Sequence, residues 1–185
     1  MTCIVGVVDQ GKVWMGADSA GSRSIAHIRI RADEKVFRVE DFLVGFTTSF
    51  RMGQLLRFGF TPPEHPEGVS PYEYMVRLFV EAVRKRLKEG GFLEKNKERE
   101  SGGEFLVGYR GELFTVESDF QVGRASEPFA VVGCGDQVAV GALWASVSLG
   151  KPRGRRRALL ALRTAERFCA GVRGPFRLLS QRAAK

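Results

Sequence analysis

The sequence predicts an α+β fold, because its strand-like and helix-like segments are segregated along the chain. Apolar, β-branched runs dominate the first third. Two helix-length segments follow, then a second set of strands, and then two more helices. This order disfavours a βαβ winding, in which strands and helices alternate. The two helix pairs can each cover one face of two stacked antiparallel sheets, which predicts a four-layer αββα sandwich.

The first third of the chain is predicted to form two hairpins. Residues 2–9 are apolar and β-branched, and the turn signal that follows them leads into a returning strand over residues 12–17. A second hairpin is predicted from residues 35–39 and 42–47.

The first helix pair is predicted to flank a proline-rich loop. Residues 50–58 form a short helix, and residues 61–68 contain three prolines that prevent helix formation. A capping box with proline at the first helical position begins at Ser70. Apolar residues then recur at helical spacing: Met75, Val76, Phe79, Val83 and Leu87.

The second half of the chain is predicted to repeat this arrangement. The charged segment 94–100 is expected to be an exposed loop. The strands expected here are residues 104–110, 112–116, 129–132 and 176–179, and the helices are residues 136–148 and 155–170.

Composition is that of one globular domain over residues 1–185. The chain is 44% hydrophobic, and we expect neither a segment that spans a bilayer nor a secretory signal peptide. Its net charge of +8 comes from 29 basic and 21 acidic residues. The charge fits a soluble basic surface, and it leaves a nucleic-acid-binding protein as an alternative. The densest cluster, residues 151–157, lacks the aromatic residues that stack on bases.

The cysteine pattern indicates a reducing cytoplasm. Cys3, Cys134 and Cys169 are far apart in sequence and odd in number, which argues against both a disulfide framework and a zinc site. We therefore expect no metal and no cofactor. His27 is expected in a loop, and Trp14 and Trp144 are expected to pack in the core or against helices.

Thr2 is the first candidate catalytic residue. A small residue after the initiator methionine permits removal of Met1, which would leave Thr2 with a free α-amine beside its hydroxyl. Such an amine has an unperturbed pKa of about 7.7–8.0, so one residue can supply both nucleophile and base. If Thr2 were lost as well, Cys3 would be an N-terminal thiol; the alternative for Cys3 is a buried strand cysteine.

Two charged residues complete the candidate site. Asp18 ends the second strand within Gly16-Ala17-Asp18-Ser19, and Lys35 opens the next hairpin. A lysine beside Thr2 would lower the pKa of its neighbours, and a carboxylate at Asp18 would orient that lysine. Taken singly, each of these two positions also fits an ordinary surface turn.

Together, these positions resemble the active site of proteasome β subunits and the HslV-type peptidases, which are N-terminal nucleophile hydrolases. In that family the matching positions are the threonine nucleophile, the aspartate and the lysine. Further similar stretches are residues 42–46, before the first helix, Val131-Val132-Gly133-Cys134-Gly135, and residues 166–171. The resemblance spans nearly the whole chain and is most specific in its first third.

Several positions depart from the family pattern. Thr47-Thr48-Ser49 stands where the family has small, glycine-rich residues, so the resemblance implies that the Thr48 amide serves as oxyanion donor. By the same resemblance, Cys134, Glu166 and Cys169 stand in for a serine, an aspartate and a serine that support the site. Ser19 is expected to line the site.

The resemblance implies amide hydrolysis of a peptide or protein substrate within a homo-oligomeric ring, with an ATP-dependent unfoldase as a possible partner. A catalytically silent ring subunit on the same fold is the main alternative. Retention of Thr2, Asp18 and Lys35 together argues against it, since they share no structural reason for these identities.

Overall fold

The computed structural model describes residues 1–24 and 27–182. The domain expected over residues 1–185 therefore includes residues 25–26 and 183–185, which lie outside the described part. Two larger antiparallel sheets and two small hairpins contain the strands. The four-stranded sheet has the order β12 (Phe129–Val132), β1 (Ile4–Asp9), β2 (Lys12–Ala17) and β13 (Arg177–Arg182), and the five-stranded sheet has the order β11 (Val122–Arg124), β10 (Glu112–Val116), β9 (Phe105–Tyr109), β6 (Phe42–Phe46) and β5 (Val36–Val39).

The strands are β1 (Ile4–Asp9), β2 (Lys12–Ala17), β3 (Ala20–Ser24), β4 (His27–Ile30), β5 (Val36–Val39), β6 (Phe42–Phe46), β7 (Glu94–Asn96), β8 (Arg99–Ser101), β9 (Phe105–Tyr109), β10 (Glu112–Val116), β11 (Val122–Arg124), β12 (Phe129–Val132) and β13 (Arg177–Arg182). The helices are α1 (Phe50–Gly59), α2 (Pro71–Tyr74), α3 (Val80–Glu89), α4 (Asp136–Ser148) and α5 (Gly154–Phe168), and a π-helical segment (Met75–Phe79) joins α2 to α3.

Three buried clusters hold these elements together. The first packs α1 and α3 against the five-stranded sheet and is rich in aromatic side chains such as Phe42 and Phe79. The second packs α4 and α5 against the four-stranded sheet, with alanines on α5 that allow close approach. The third contains residues of both sheets, among them Ile4, Met15 and Val36. The protein is thus an α+β structure with helices on one face of each sheet.

The two sheets approach closely at Gly45. A Cβ atom at this position would lie 2.4 Å from Cγ2 of Ile4, on the facing sheet. No real Cβ contact is this short, so the residue must be glycine unless Ile4 shifts. Gly45 pairs with Val36 across the β5–β6 hairpin, and this close contact therefore brings the start of β5 near the start of β1.

Most predicted elements are confirmed. The helix predicted over residues 136–148 has those bounds, and the other helices agree within about two residues, the usual uncertainty at helix ends. Ser70 caps its helix as predicted, since its hydroxyl accepts a hydrogen bond from the Glu73 N–H at 3.2 Å. The basic segment 151–157 connects α4 to α5, and its last residues form the first turn of α5.

Three predictions are corrected. Residues 94–100 contain the β7–β8 hairpin and not a loop, because charged side chains on an exposed two-stranded ribbon give no alternating pattern. His27 begins β4, in a hairpin that the sequence analysis missed. Strand β11 was also missed. Trp144 is 56% exposed on α4 and does not pack in the core, whereas Trp14 packs against the second cluster as predicted.

Candidate active site

Thr2 and Asp18 are brought together by the first hairpin. Ile4 pairs with Ala17 across β1 and β2, so the residues just outside the pair are neighbours. The Cys3 N–H donates to Asp18 Oδ1 at 3.0 Å, and the Asp18 N–H donates to the Cys3 carbonyl at 3.3 Å. The sheet register therefore fixes the carboxylate of Asp18 beside the backbone that follows Thr2.

Lys35 reaches the same point from the other sheet. Its carbonyl accepts a hydrogen bond from Phe46 at the start of β5, and its side chain extends toward the four-stranded sheet. Lys35 Nζ lies 2.8 Å from Asp18 Oδ1 and 2.9 Å from Thr2 Oγ1. The structure thus places the three predicted residues in one continuous hydrogen-bonded chain.

The three side chains are excluded from water. Thr2 is 5% exposed, Asp18 is 2% exposed and Lys35 is 1% exposed. Burial lowers the pKa of Lys35, because the charged ammonium loses hydration, and the Asp18 carboxylate opposes this shift. Burial therefore favours the neutral amine of Lys35, whereas the Asp18 carboxylate favours its charged ammonium form.

Backbone donors surround Asp18. Its Oδ2 accepts from the Ala20 N–H at 2.9 Å and faces the Arg173 N–H at 3.5 Å. Together with Cys3 and Lys35, these groups supply donors to both carboxylate oxygens. These four donors satisfy both oxygens of the buried carboxylate.

The nitrogen and carbonyl of Thr2 both contact Cys134. The Thr2 N–H donates to Cys134 Sγ at 3.2 Å, and the thiol donates to the Thr2 carbonyl at 3.4 Å. The Gly135 N–H also approaches that carbonyl, at 3.3 Å. Gly133, with φ of +99°, makes this loop possible, since a Cβ there would lie 2.5 Å from the Thr2 carbonyl oxygen. This explains the Gly-Cys-Gly motif noted in the sequence.

Met1 covers Thr2. The Thr2 hydroxyl donates to the Met1 carbonyl at 2.6 Å, and the Met1 amine donates to Ser22 Oγ at 3.1 Å. The methionine side chain lies against Gly171, where a Cβ would approach within 2.2 Å of the Met1 Cβ. With Met1 in place, the nitrogen of Thr2 is an amide and has no basic lone pair.

Thr48 adopts a left-handed backbone with φ of +60°. This conformation is costly for a β-branched residue and favours glycine. A hydrogen bond compensates part of the cost, because Thr48 Oγ1 accepts from the Glu104 N–H at 3.1 Å. A backbone conformation that favours glycine is therefore held by a threonine whose hydroxyl binds Glu104, the residue before β9.

The remaining predicted residues are Ser19, Glu166 and Cys169, and all three contact the loop that contributes Arg173 to the Asp18 site. Ser19 donates to the Pro175 carbonyl at 2.5 Å, and Glu166 Oε1 accepts from the Gly174 N–H at 2.7 Å. Cys169 ends α5, and its carbonyl accepts from Arg173 Nη1 at 3.3 Å. These contacts position the loop that carries the Arg173 N–H to Asp18. Ser22, and not Ser19, accepts the hydrogen bond from the Met1 amine.

Cys3 is fully buried, and burial together with Asp18 raises the pKa of its thiol. This environment fits a structural cysteine. Arg173 was missed by the sequence analysis, and no sequence signal marks it, because its backbone N–H makes the contact.

Two negative findings apply to the described ranges, 1–24 and 27–182. No group of three or more His, Cys, Asp or Glu side chains there is arranged to hold a metal ion. No helix in those ranges is both long and apolar enough to cross a bilayer.

The fold is that of HslV and of Anbu, an ancestral β-subunit. BPH from Thiobacillus denitrificans, in complex with epoxomicin, is 22% identical, with a TM-score of 0.82 over 99% of this chain and 100% of that chain. HslV from Trypanosoma brucei is 14% identical, with a TM-score of 0.68 over 97% and 99%. Anbu, an ancestral β-subunit from Yersinia bercovieri, is 16% identical, with a TM-score of 0.68 over 97% and 81%.

No protein-family profile matches the sequence, and no curated protein matches it as a relative. At these identities, the structural likeness establishes the shared fold, and chemistry must be argued from the site itself.

Proposed function

We propose that the chain is an N-terminal threonine hydrolase of the proteasome β-subunit type that cleaves amide bonds in peptides or proteins. The observation that carries this proposal is the position of Lys35 Nζ, 2.9 Å from Thr2 Oγ1 and 2.8 Å from Asp18 Oδ1. A cation held this close to a hydroxyl lowers the cost of forming an alkoxide. The complex of BPH with epoxomicin shows that a protein of this fold binds this compound.

The proposed reaction begins after removal of Met1. Thr2 Oγ attacks the substrate carbonyl carbon, and its proton passes to the freed α-amine of Thr2. Lys35 stabilises the alkoxide, with Asp18 as its orienting partner, and the Thr48 N–H is proposed to stabilise the tetrahedral oxyanion. The C–N bond then breaks, and the leaving amine takes the proton. Water hydrolyses the Thr2 ester, releasing a carboxylic acid and restoring the hydroxyl.

The supporting roles follow from the contacts. Once Met1 is removed, Cys134 Sγ is proposed to hold the Thr2 amine that it now contacts as an amide. Glu166, Ser19 and Cys169 are proposed to support the site through the loop ending at Pro175. The three buried clusters are proposed to be the interlayer cores of a four-layer αββα sandwich forming one domain.

Kinetics of Thr2 variants test the proposal. Thr2→Ala is expected to abolish cleavage of fluorogenic peptides, while Thr2→Ser retains a measurable rate because it keeps both the hydroxyl and the amine. Circular dichroism and thermal unfolding should show that both variants fold. Full activity of a folded Thr2→Ala protein would contradict the assignment.

We also propose that the chain assembles with copies of itself into a ring. Exposed apolar side chains on α4 and α5 support self-association, since Trp144 is 56% exposed and Phe168 is 72% exposed. The Anbu complex from Pseudomonas aeruginosa forms a helical assembly. Light scattering is expected to show a mass several times that of one chain, and Trp144→Lys is expected to reduce it; a monomeric wild-type protein would contradict ring formation.

The proposed compartment is the cytoplasm. The three free cysteines, Cys3, Cys134 and Cys169, fit a reducing cytoplasm. An ATP-dependent unfoldase is implied by the sequence resemblance alone, and we assign no surface to it.

The two alternatives make different predictions. A silent ring subunit on the same fold would keep Met1 and form no covalent adduct at Thr2. A nucleic-acid-binding protein is disfavoured because two of the five basic residues at 151–157 make contacts within the fold. Arg153 pairs with Asp9 at 2.8 Å, and Arg157 is 7% exposed with Nη2 near the Ser146 carbonyl. Absence of binding to nucleic acid at low salt would remove that alternative.

A further inference from the structure

A cavity of about 410 Å³ lies near the amino terminus, where one of its lining residues, Ser22, contacts the Met1 amine. Its walls come from the β3–β4 hairpin, from the segment that follows it, and from the start of α1. The lining residues are Gly21, Ser22, His27, Arg29, Arg31 and Phe50. The volume is within the range of small-molecule sites and exceeds the space that one side chain requires.

Two contacts connect this cavity to the candidate active site. Ser22, on its wall, accepts the hydrogen bond from the Met1 amine at 3.1 Å. Phe50 forms another wall, and the centre of its ring lies 5.9 Å from Lys35 Nζ. The cavity therefore adjoins the carbonyl that Met1 now places against the Thr2 hydroxyl. A substrate carbonyl at that position would direct one neighbouring side chain toward these walls.

The charge of the cavity is basic. Arg29 and Arg31 are both lining residues, and His27 lies beside them. Asp33 is the acidic partner of Arg31, at 2.7 Å from Nε and 2.6 Å from Nη2. This pairing balances one arginine and leaves Arg31 Nη1 outside the bidentate contact. Arg29 adds a second positive charge, so the lining residues carry an excess of positive charge.

The orientation of Arg31 is fixed on both sides. Its guanidinium lies 3.8 Å from the centre of the Phe50 ring, and Asp33 holds its edge. Gly21 leaves room for this arrangement, since a Cβ there would lie 2.6 Å from Arg31 Cδ. A planar guanidinium held in place is suited to bind a carboxylate with directional hydrogen bonds. The Phe50 ring offers an apolar surface for the methylene groups of the same side chain.

We propose that this cavity selects substrates with glutamate or aspartate on the residue whose carbonyl Thr2 attacks, which is the residue before the cleaved bond. Arg29 and Arg31 are the residues that determine this specificity. The inference rests on the proposed function, and it adds a substrate class that neither the fold nor the Thr2-Asp18-Lys35 contacts define.

A panel of fluorogenic tetrapeptides tests the inference. The peptides share three residues and differ only in the fourth, which is glutamate, glutamine, leucine or arginine. Glutamate and glutamine have nearly the same shape, so their ratio isolates charge. We expect kcat/KM to be about tenfold or more higher for glutamate than for glutamine, since hydrogen bonds to charged groups are the stronger class. The preference should weaken at high salt.

Variants separate the cavity from general charge effects. Arg29→Gln and Arg31→Gln are each expected to bring the glutamate-to-glutamine ratio of kcat/KM toward one. Arg156→Gln is the matched control, because Arg156 is an exposed arginine on α5 and does not line the cavity. It removes the same charge and should leave the ratio unchanged.

A covalent readout keeps this inference distinct from the proposed function. Peptide epoxyketones ending in glutamate or leucine are compared by their rates of adduct formation at Thr2, measured by mass spectrometry. Faster labelling by the leucine compound, or equal cleavage of glutamate and glutamine peptides, would overturn the acidic preference and leave the threonine hydrolase intact. Absence of both adduct and cleavage with every compound would contradict both proposals.

Discussion

Lys35 Nζ lies 2.8 Å from the carboxylate of Asp18, and both side chains are almost completely buried. Asp18 follows a strand of the four-stranded sheet, and Lys35 precedes a strand of the five-stranded sheet. Their contact therefore joins the two sheets beside Thr2. A buried ion pair of this kind is weak evidence for stability, because the desolvation of both charges opposes their attraction. Its position beside a reactive hydroxyl argues for a chemical role.

Removing one member of the ion pair should destabilise the protein. Lys35→Met leaves the Asp18 charge buried without its cation, which typically costs about 3–5 kcal/mol. The double variant Asp18→Asn with Lys35→Met should recover much of this loss, because it leaves no buried charge at either position. Urea unfolding of the two single variants and the double variant measures the coupling.

Activity should separate from stability in this set. The double variant is expected to be stable and inactive, since it lacks the cation beside Thr2 Oγ1. A double variant with wild-type kcat/KM would show that the pair serves only the fold.

The pH dependence of cleavage should have two limbs. The rate rises as the Thr2 amine loses its proton, near its unperturbed pKa of about 7.7–8.0. The rate falls again when Lys35 loses its charge. Burial lowers the pKa of Lys35 below its ordinary value of 10.5, so this alkaline limb should begin below that pH.

Asp18→Asn tests the assignment of the alkaline limb. The Asp18 carboxylate raises the pKa of Lys35 against the effect of burial, so loss of that charge should move the limb to lower pH. The lowered pKa of Lys35 also fixes how its contribution to stability changes with pH. Between the lowered pKa of folded Lys35 and 10.5, the unfolded chain binds more protons, so the contribution of Lys35 to the free energy of unfolding increases with pH. An alkaline limb that is unchanged in Asp18→Asn would contradict this assignment.

Cys134 should be the cysteine whose modification stops the reaction. It is exposed, and its sulfur contacts the Thr2 nitrogen at 3.2 Å, whereas Cys3 is buried with a raised thiol pKa. Treatment with iodoacetamide is expected to inactivate the wild-type protein. Cys134→Ser should retain activity, because a hydroxyl can make the same hydrogen bonds, and should resist the reagent.

Cys169→Ser provides the control for this experiment. Cys169 is only partly buried, so its own alkylation must be distinguished from that of Cys134. If Cys169→Ser protects the activity and Cys134→Ser does not, the role assigned to Cys134 is wrong.

Thr48→Gly should be tolerated better than Thr48→Val. Glycine relieves the left-handed strain at φ of +60° and loses the hydrogen bond to the Glu104 N–H, two effects of about 1 kcal/mol each and opposite sign. Valine keeps the strain and loses the hydrogen bond. Thermal unfolding should place valine below glycine. Similar kcat/KM in wild type and Thr48→Gly would support an oxyanion role for the backbone N–H, and a large loss would assign the role to the side chain.

The sequence predicted the elements whose patterns are strong. Helices α3 and α5 have regular apolar spacing, and the first hairpin is marked by its turn. The β7–β8 and β3–β4 hairpins escaped prediction, because short exposed strands such as Glu94–Asn96 have no buried face to impose alternation. Trp144 was misjudged because α4 is apolar around most of its circumference.

The site was predicted only in part, for a physical reason. Side-chain identities identified Thr2, Asp18 and Lys35, but backbone groups supply much of the remaining arrangement, including the Arg173 N–H. Backbone donors leave no trace in residue identity. The cavity beside Ser22 also depends on how the β3–β4 hairpin lies against Phe50, which is a tertiary property.

The most direct test of the central claim is the intact mass of the purified protein before and after treatment with a peptide epoxyketone. The proposed mechanism predicts loss of Met1 and a single covalent adduct on Thr2, with no adduct in Thr2→Ala. A protein that keeps Met1 and remains unlabelled would contradict the threonine hydrolase and favour a silent ring subunit on the same fold.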